Sequence, residues 1–344
     1  MMQKRFVVLV ALCMLFGGLL SCNSSDDLSA IGVAVNPPSP QPLDLSILGV
    51  NAFVNDSRFG TIQAQFTDVQ STLHIPHVRV LFEWNDGVQG APGGAVDYSF
   101  YDSILNNLPS GMDVDVVLDG LPSWMSNSAN WIKGDPRATF AQDWVQPVLS
   151  RYANNNQIVS FEIWNEPDDP SNNDNVTMGF VNNPANYVEL LMLGHDIVKS
   201  ANPNFLVLNA ATTSIQQNFS TTLSYNQSMQ AAGATSVVDK WNIHYYGAEY
   251  ANVEQSGGVA DFLNGLSMPV WVSESGAQGV NNQLNYAETT WPFLTSQIPS
   301  IERIYIYQYT EATDPSVTYG LRNLSATEPV SDLYIYLRSG GTSS

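Results

Sequence analysis

The sequence predicts an α/β protein folded as a (β/α)8 TIM barrel. Short apolar runs alternate with longer helical ones from residue 47 onwards, and eight of the short runs occur before residue 310. Short apolar runs bounded by turns are typical of buried strands, and their alternation with helices indicates parallel βα units. Eight such units close into a barrel. An open doubly wound sheet is the alternative, but its first turn, in GVNAFVNDS, lacks the required G-x-G-x-x-G pattern.

The predicted elements follow one another in regular order along the chain. Strands are predicted at 47–53, 77–84, 113–120, 158–166, 205–213, 239–246, 269–275 and 301–309. Helices are predicted at 63–75, 101–108, 138–153, 184–201 and 283–298. The longest begins with Pro184, which suits the first helical turn, and it has Tyr187, Leu191, His195 and Val198 on one face. In such a barrel the carboxyl ends of the strands form the face that binds ligands.

Residues 1–22 predict an export signal that ends in a lipid-attachment site. A basic start is followed by an apolar run from Phe6 to Leu20, which is short for a membrane-crossing helix. Leu-Leu-Ser-Cys resembles a bacterial lipobox, so Cys22 would carry the lipid; in the alternative, an ordinary signal peptide, this cysteine is incidental. Residues 23–44 are rich in Ser, Asp and Pro and predict a flexible tether before a barrel domain at 45–340. We expect a bacterial envelope lipoprotein at the outer membrane or cell surface, or a secreted protein.

The composition argues against nucleic-acid partners and against stabilisation by disulfide bonds. The other cysteine, Cys13, lies inside the predicted signal, so the exported chain would have no disulfide and would depend on its core. Without Lys4 and Arg5, ten basic residues would face 32 acidic ones, a formal net charge of −22. Nucleic acids are held by clustered Lys and Arg, and this sequence has no such cluster. Neutral substrates are therefore favoured.

Two glutamates stand out because they follow or end apolar strands. The stretch FEIWNEPDD places Glu166 at the end of the fourth strand, immediately before Pro167. On the seventh strand, alternation puts Glu274 on the same inward face as Val270 and Val272. A charged group inside a barrel is costly unless it is paired or functional. Two carboxylates that face each other across a barrel are the arrangement that glycoside hydrolysis needs.

Polar and aromatic side chains accompany these glutamates at the predicted ligand-binding face. Arg79 points inward from the second strand, and His244 and Tyr246 share one face of the sixth. Aromatic rings suit the C–H faces of sugars; those at strand ends or in the loops that follow are Trp84, Trp124, Trp131, Tyr245, Tyr246 and Tyr307. For Trp84 and Trp124 the alternative to a sugar platform is a place in the core.

Several segments resemble the glycoside hydrolases of clan GH-A, nearest to families 39 and 5. The matching segments are VRVLFEWN, LPSWM, FEIWNEPD, WNIHYYG, VWVSESGA, IYQYT and TYGL, and the resemblance spans residues 47 to about 338. A Trp-Asn-Glu-Pro element combined with a second glutamate on strand seven is specific for the clan. The resemblance implies a single catalytic domain that needs no metal or cofactor.

The resemblance also implies a role for each site residue. Glu166 would be the general acid/base and Glu274 the nucleophile. Asn165 would bind the sugar 2-hydroxyl, Tyr246 would hydrogen-bond the nucleophile, and Arg79 would keep it ionised. His244 matches the His-Xaa-Tyr element of the sixth strand, and Tyr307 or Gln308 stands where clan members commonly carry tryptophan. Glu162 could pair with Arg79 as a structural ion pair instead.

The function predicted from these features is a retaining glycoside hydrolase that cleaves β-glycosidic bonds of a neutral glucan or xylan. Endo cleavage is expected because most strand-to-helix connections look short. The segments long enough to form walls are those near 85–97, 121–135, 167–183 and 310–327, and Trp84, Trp124 and Trp131 would line an open groove. A monomer is expected. The alternatives are an exo-acting β-glycosidase or β-xylosidase, and a non-catalytic sugar-binding lipoprotein. A metal-dependent hydrolase using His244, Glu166 and Glu274 is a third possibility, although histidines are scarce.

Overall fold

The computed structural model describes residues 38–342. The predicted signal, Cys22 and most of the predicted tether lie outside the described residues. The end of that tether contacts the barrel, because the Gln41 backbone N–H donates to the Glu288 carbonyl at 2.8 Å. Attachment to the folded domain therefore starts at or before Gln41, a few residues earlier than the predicted boundary at 45.

Eight parallel strands form a nearly closed barrel, as predicted. They are β1 Leu48–Asn51, β2 His77–Glu83, β3 Asp113–Asp119, β4 Ile158–Ile163, β5 Leu206–Asn209, β6 Trp241–Tyr246, β7 Val270–Gly276 and β8 Ile301–Ile306. Hydrogen bonding joins them in the order β5-β4-β3-β2-β1-β8-β7-β6. An isolated parallel bridge between Leu208 and Lys240 links the two end strands. Each predicted strand is present, and the (β/α)8 barrel is confirmed.

Helices surround the strands. They are α1 Ile62–Thr67, α2 Ser99–Asn106, α3 Pro136–Phe140, α4 Gln146–Tyr152, α5 Asn173–Met178, α6 Pro184–Ala201, α7 Thr221–Ala231, α8 Tyr250–Glu254, α9 Val259–Gly265, α10 Gln283–Gln297 and α11 Asp332–Arg338. A π-helical segment, Ala141–Val145, joins α3 to α4, and another, Asp68–Thr72, extends α1. Among residues 38–342 there is no helix with both the length and the apolarity that a membrane crossing requires.

The barrel interior holds both apolar and polar side chains. Leu208, Trp271 and Tyr305 pack together there. Tyr305 lies opposite Gly49 of β1, where a side chain would collide with its ring. Polar side chains are also almost fully buried, at Asn51, Arg79, Glu162, Asn242 and His244. Buried charge is tolerated only when it is paired, so this interior depends on specific contacts.

Candidate active site

Glu274 lies in the upper barrel with both carboxylate oxygens hydrogen-bonded. Its Oε1 accepts from Arg79 Nη1 at 2.6 Å and its Oε2 accepts from the Tyr246 hydroxyl at 2.8 Å. Burial alone would raise the pKa of Glu274, but the positive charges of His244 and Arg79 and the hydrogen bonds from Tyr246 and Arg79 together lower it. The site therefore keeps Glu274 ionised.

Arg79 connects β2 with the strands that carry the two glutamates. Its Nε donates to Glu162 Oε2 at 2.8 Å, and its Nη2 donates to Asn165 Oδ1 at 3.0 Å. The guanidinium is almost fully buried, and the charges of Glu162 and Glu274 outweigh burial in raising its pKa. Arg79 thus makes both of the contacts considered from the sequence, to Glu162 and to Glu274. Because Oδ1 of Asn165 is turned to Arg79, its amide NH2 group points away from the guanidinium.

Glu166 lies in a loop directly after β4. Its side chain is 23% exposed, and its Oε1 is 3.0 Å from His244 Nδ1. Burial is the main cause of its raised pKa, and the charges of Glu274 and Asp168 add to it, while the contact with His244 opposes it. Glu166 therefore holds a proton at a higher pH than an ordinary glutamate does.

His244 lies between the two glutamates and is completely buried. Its Nδ1 faces Glu166, and its Nε2 is 3.6 Å from Glu274 Oε1. Burial would lower the pKa of His244, but the charge of Glu274 and the contact with Glu166 raise it. One imidazole therefore affects both carboxylates, and in its protonated form it favours the charged form of each.

The separation of the two carboxylates indicates whether a carboxylate or a water molecule attacks the sugar. An oxygen of Glu166 lies within 4.8 Å of an oxygen of Glu274. Carboxyl groups about 5–5.5 Å apart are typical of direct attack on the sugar, whereas a separation of about 6.5–9.5 Å leaves room for a water molecule. The distance in this site is suited to direct attack by one carboxylate.

The same three residues form a potential ligand set for a metal ion. Glu166, His244 and Glu274 each offer a donor atom within 4.8 Å of the others. Several of their donor atoms are already engaged: Oε1 of Glu274 accepts from Arg79, and Nδ1 of His244 faces Oε1 of Glu166. The guanidinium would also repel a cation at close range. The contacts fit proton transfer better than metal coordination.

Trp84 cannot be a sugar platform, contrary to the sequence-based expectation. Its side chain has no exposed surface, and its ring stacks on Trp144 and meets Trp124 edge-on at 5.2 Å. Gln89 holds both indoles, because its side-chain oxygen accepts from Trp84 Nε1 and its carbonyl accepts from Trp124 Nε1. Trp124 is only half-buried and stays available. The core alternative is therefore correct for Trp84, whose buried ring packs against Trp124.

Four aromatic rings form a cluster beside Glu274. Tyr246 lies 6.0 Å from Tyr307 and 5.6 Å from Tyr319 between ring centroids, and Phe53 lies 6.1 Å from Tyr307. All four are partly exposed. Sequence reasoning selected Tyr246 and Tyr307 but not the other two. Phe53 was hidden in an apolar strand segment, and Tyr319 lies far along the chain in the loop after β8, within the quoted TYGL.

A barrel with two closely spaced, oppositely tuned carboxylates at the carboxyl ends of its strands is the kind of site found in glycoside hydrolases. The class is confirmed by comparison with known proteins: the chain is a glycoside hydrolase of clan GH-A. Residues 41–305 match the family model described as cellulase (glycosyl hydrolase family 5), and the chain belongs to this family. Comparison with curated proteins gives no match.

Solved structures of this clan share the fold at low sequence identity. A family 39 glycoside hydrolase from Bacteroides cellulosilyticus WH2 is 16% identical with a TM-score of 0.59; the alignment covers 88% of this chain and 65% of that one. A monomeric β-xylosidase from Caulobacter crescentus CB15 is 14% identical with a TM-score of 0.62, covering 88% and 69%. An endo-1,4-β-mannanase from Rhizomucor miehei is 16% identical with a TM-score of 0.55, covering 88% and 99%. The chain thus spans about two thirds of the family 39 enzyme and nearly all of the mannanase.

Proposed function

We propose that the protein hydrolyses β-glycosidic bonds with retention of configuration, by double displacement. The observation that carries the proposal is the opposite tuning of two carboxylates within 4.8 Å: the pKa of Glu166 is raised and that of Glu274 is lowered. A general acid and a nucleophile need these opposite states at one pH.

The reaction follows from these states in two steps. Glu274 attacks the anomeric carbon while the glycosidic C–O bond breaks, and the leaving oxygen takes the proton of Glu166. Glu166, now a carboxylate, removes a proton from water, and the resulting hydroxide attacks the anomeric carbon. The C–O bond to Glu274 breaks as the new bond forms, and the carboxylate of Glu274 is restored. Every proton in the cycle passes through Glu166.

The neighbouring residues have supporting roles in this proposal. Asn165 offers its amide NH2 group to the sugar 2-hydroxyl, since Arg79 holds its oxygen. His244 and Arg79 bias the charges of the glutamates, and Tyr246 orients Glu274. Tyr307 and Trp124 provide partly exposed rings against which sugar faces can pack.

The substrate that we propose is a neutral β-linked glycan of the glucan or xylan type. The acidic composition of the chain disfavours polyanions, and the similar structures include a β-xylosidase and a mannanase. We further propose that the enzyme acts as a monomer, since that β-xylosidase is described as monomeric. An exo-acting β-glycosidase and a non-catalytic sugar-binding protein are the alternatives.

Azide rescue tests the two glutamates separately. We expect Glu166→Ala and Glu274→Ala to reduce hydrolysis of 2,4-dinitrophenyl β-glucoside, β-xyloside, β-cellobioside or β-mannoside. Azide should restore product formation in both variants, as the β-glycosyl azide with Glu166→Ala and as the α-glycosyl azide with Glu274→Ala. Glu302→Gln, which removes a carboxylate paired with Lys240 away from the site, is the matched control.

Other outcomes would identify the error. The same azide anomer from both variants, or an inverted product from the unmodified enzyme, would contradict the double displacement. Binding of xylan or β-glucan without any turnover of the four aryl glycosides or of polymers would favour the sugar-binding alternative.

We also propose that Cys22 anchors the enzyme to the cell envelope through a lipid. The lipobox-like sequence before it supports this proposal, and Asn23 in place of aspartate suits release to the outer membrane by resemblance to Gram-negative lipoproteins. Cys22→Ala should shift the protein from the membrane fraction to the soluble fraction. Equal fractionation of the variant and the unmodified protein would contradict the anchor.

A further inference from the structure

The loop that carries Glu166 has an unusual backbone. β4 ends at Ile163, and both Trp164 (φ 77°) and Glu166 (φ 43°) adopt the left-handed conformation. Residues other than glycine adopt this conformation at a cost, so it persists where surrounding contacts hold it. The conformation redirects the chain after β4, which sets the direction of the Glu166 side chain towards His244.

Asn175 of helix α5 is bound to this loop at three places. Its Oδ1 accepts from Trp164 Nε1 at 2.8 Å. Its Nδ2 donates to the carbonyl of Glu166 at 2.7 Å and to the carbonyl of Asp169 at 2.9 Å. The side chain is fully buried, so water does not replace any of these bonds. Asn175 therefore contacts residues on both sides of the Glu166 side chain without touching the carboxylate.

A second connection holds the other side of the same loop. The Glu166 N–H donates to the carbonyl of Ala211 at 2.9 Å. The Asp168 carboxylate accepts from the backbone N–H and the hydroxyl of Thr213, at 2.8 and 2.7 Å. These bonds attach the loop to the segment after β5. The hydrogen bonds of Asn175 instead attach the loop to helix α5, which follows the loop in the chain. Among the hydrogen bonds of the described residues, that of Asn175 is the one in which a side chain donates to the carbonyl of Glu166.

We propose that Asn175 is the positioning residue for the acid/base Glu166: it holds the left-handed backbone that places the carboxyl group over the glycosidic oxygen. This inference rests on the proposed function, since it assumes that Glu166 donates the proton. Proton donation requires alignment within hydrogen-bond distance, and a displacement of about 1 Å can cost about 10²-fold in rate. The nucleophile Glu274 is held by Arg79 and Tyr246 and is independent of Asn175.

The dependence on the leaving group distinguishes this role from a general loss of structure. A dinitrophenolate departs without protonation, whereas a phenolate or sugar alkoxide needs the acid. In Asn175→Leu we expect kcat/KM for phenyl β-glycosides to fall about 100-fold, and that for the 2,4-dinitrophenyl β-glycosides of the same sugars to fall less than about threefold. Asn175→Asp, which keeps the acceptor for Trp164 but loses both donors, should show the same difference between the substrates.

Amide hydrogen exchange provides a readout that does not depend on activity. Peptides covering 164–170 should exchange faster in Asn175→Leu, while peptides from β7 remain protected as in the unmodified enzyme. Asn323→Leu is the matched control, since Asn323 is also buried and also donates to a carbonyl of its own loop, that of Glu328. It should change neither the substrate ratio nor exchange at 164–170.

The outcomes separate this inference from the proposed function. Equal losses on both substrates, or unchanged exchange at 164–170, would overturn the role of Asn175. Glu166→Ala is assayed in parallel. If it shows no preference for the dinitrophenyl substrate, the acid assignment itself is wrong and the positioning role fails with it. If Glu166→Ala shows the preference and Asn175→Leu does not, only the positioning role fails.

Discussion

At the scale of single residues, the site contains one imidazole, that of His244, which interacts with the carboxylates of both Glu166 and Glu274. His244 lies 3.0 Å from Glu166 and 3.6 Å from Glu274, and its pKa is raised by both. A positive charge at this position lowers the pKa of each glutamate, so it stabilises the ionised form of Glu274 but also weakens the hold of Glu166 on its proton. The raised pKa of Glu166 shows that burial and like charges outweigh His244 there.

The pH profile of a His244→Asn variant tests this balance. In the proposed mechanism activity requires ionised Glu274, so it falls as the pH drops through the pKa of that group. It also requires protonated Glu166, so it falls as the pH rises through the pKa of Glu166. Without the imidazole charge both pKa values should rise. We therefore expect both limbs of the kcat/KM profile to move to higher pH.

The control for this prediction is His195→Asn. His195 is a partly exposed residue of α6 whose Nδ1 contacts Asp196, away from the glutamates. Its replacement should leave both limbs in place. Movement of only one limb in His244→Asn would mean that the imidazole charge acts on a single carboxylate.

Single residues also show where sequence reasoning reaches its limit. Glu166 and Glu274 were selected because a carboxylate at an inward or strand-end position is expensive, a cost that can be inferred from the sequence pattern. Trp84 was misinterpreted because its burial depends on Trp144 and Gln89, and strand alternation does not reveal such neighbours. Asn175 was not selected because a buried asparagine has no sequence pattern to distinguish it from asparagines in turns.

At the scale of elements, the sequence predicts the bounds of a helix best where the hydrophobic periodicity agrees with the residues typical of helix ends. Helix α6 extends over Pro184–Ala201 as predicted, because proline fits the first turn and apolar residues recur on one face. Helix α7, Thr221–Ala231, was not among the predicted helices because its composition is polar and its apolar residues are few. β4 ends at Ile163 and not at Glu166, since the backbone turns left-handed at Trp164.

Helix α6 packs so closely on β4 that the contact requires glycine. A Cβ at Gly194 would lie 2.9 to 3.1 Å from three side-chain carbons of Ile163. Alanine favours a helix over glycine by about 1 kcal/mol, but overpacking a core costs roughly 1–3 kcal/mol. We expect Gly194→Ala to lower the free energy of unfolding by about 1 kcal/mol, as measured by urea denaturation.

A second helical glycine provides the reference for that measurement. Gly265 ends α9, is exposed, and has no atom within 4 Å of the position that a Cβ would take. Gly265→Ala should therefore be neutral or slightly stabilising, since only the helical preference operates. If Gly194→Ala is as stable as Gly265→Ala, then α6 can move away from Ile163 without cost, and the packing interpretation is wrong.

At the scale of the whole molecule, the walls of the catalytic face are uneven. The long connections follow β2 (84–98), β3 (120–135), β4 (164–183, including α5) and β8 (307–331). Those after β6 (247–249) and β7 (277–282) are short. Because β2, β3 and β4 are neighbours in the sheet and β8 is separated from them by β1, the high walls stand in two groups. A groove between the two groups would pass over the glutamates and remain open towards β6 and β7.

This distribution of loops predicts endo cleavage, and the product profile at early times measures it. A groove with open ends admits the middle of a chain, whereas exo cleavage requires a pocket closed on one side. We expect oligosaccharides of several lengths to appear first from xylan, β-glucan or mannan, with the viscosity of the polymer falling before much reducing sugar is released. Borohydride-reduced oligomers should be cut internally as well.

Steady release of monosaccharide from chain ends, with viscosity maintained, would mean that the connections after β4 and β8 meet to form a pocket. In that case shortening the segment at 310–327 should convert part of the activity to internal cleavage, since that loop would then be the wall that blocks the groove.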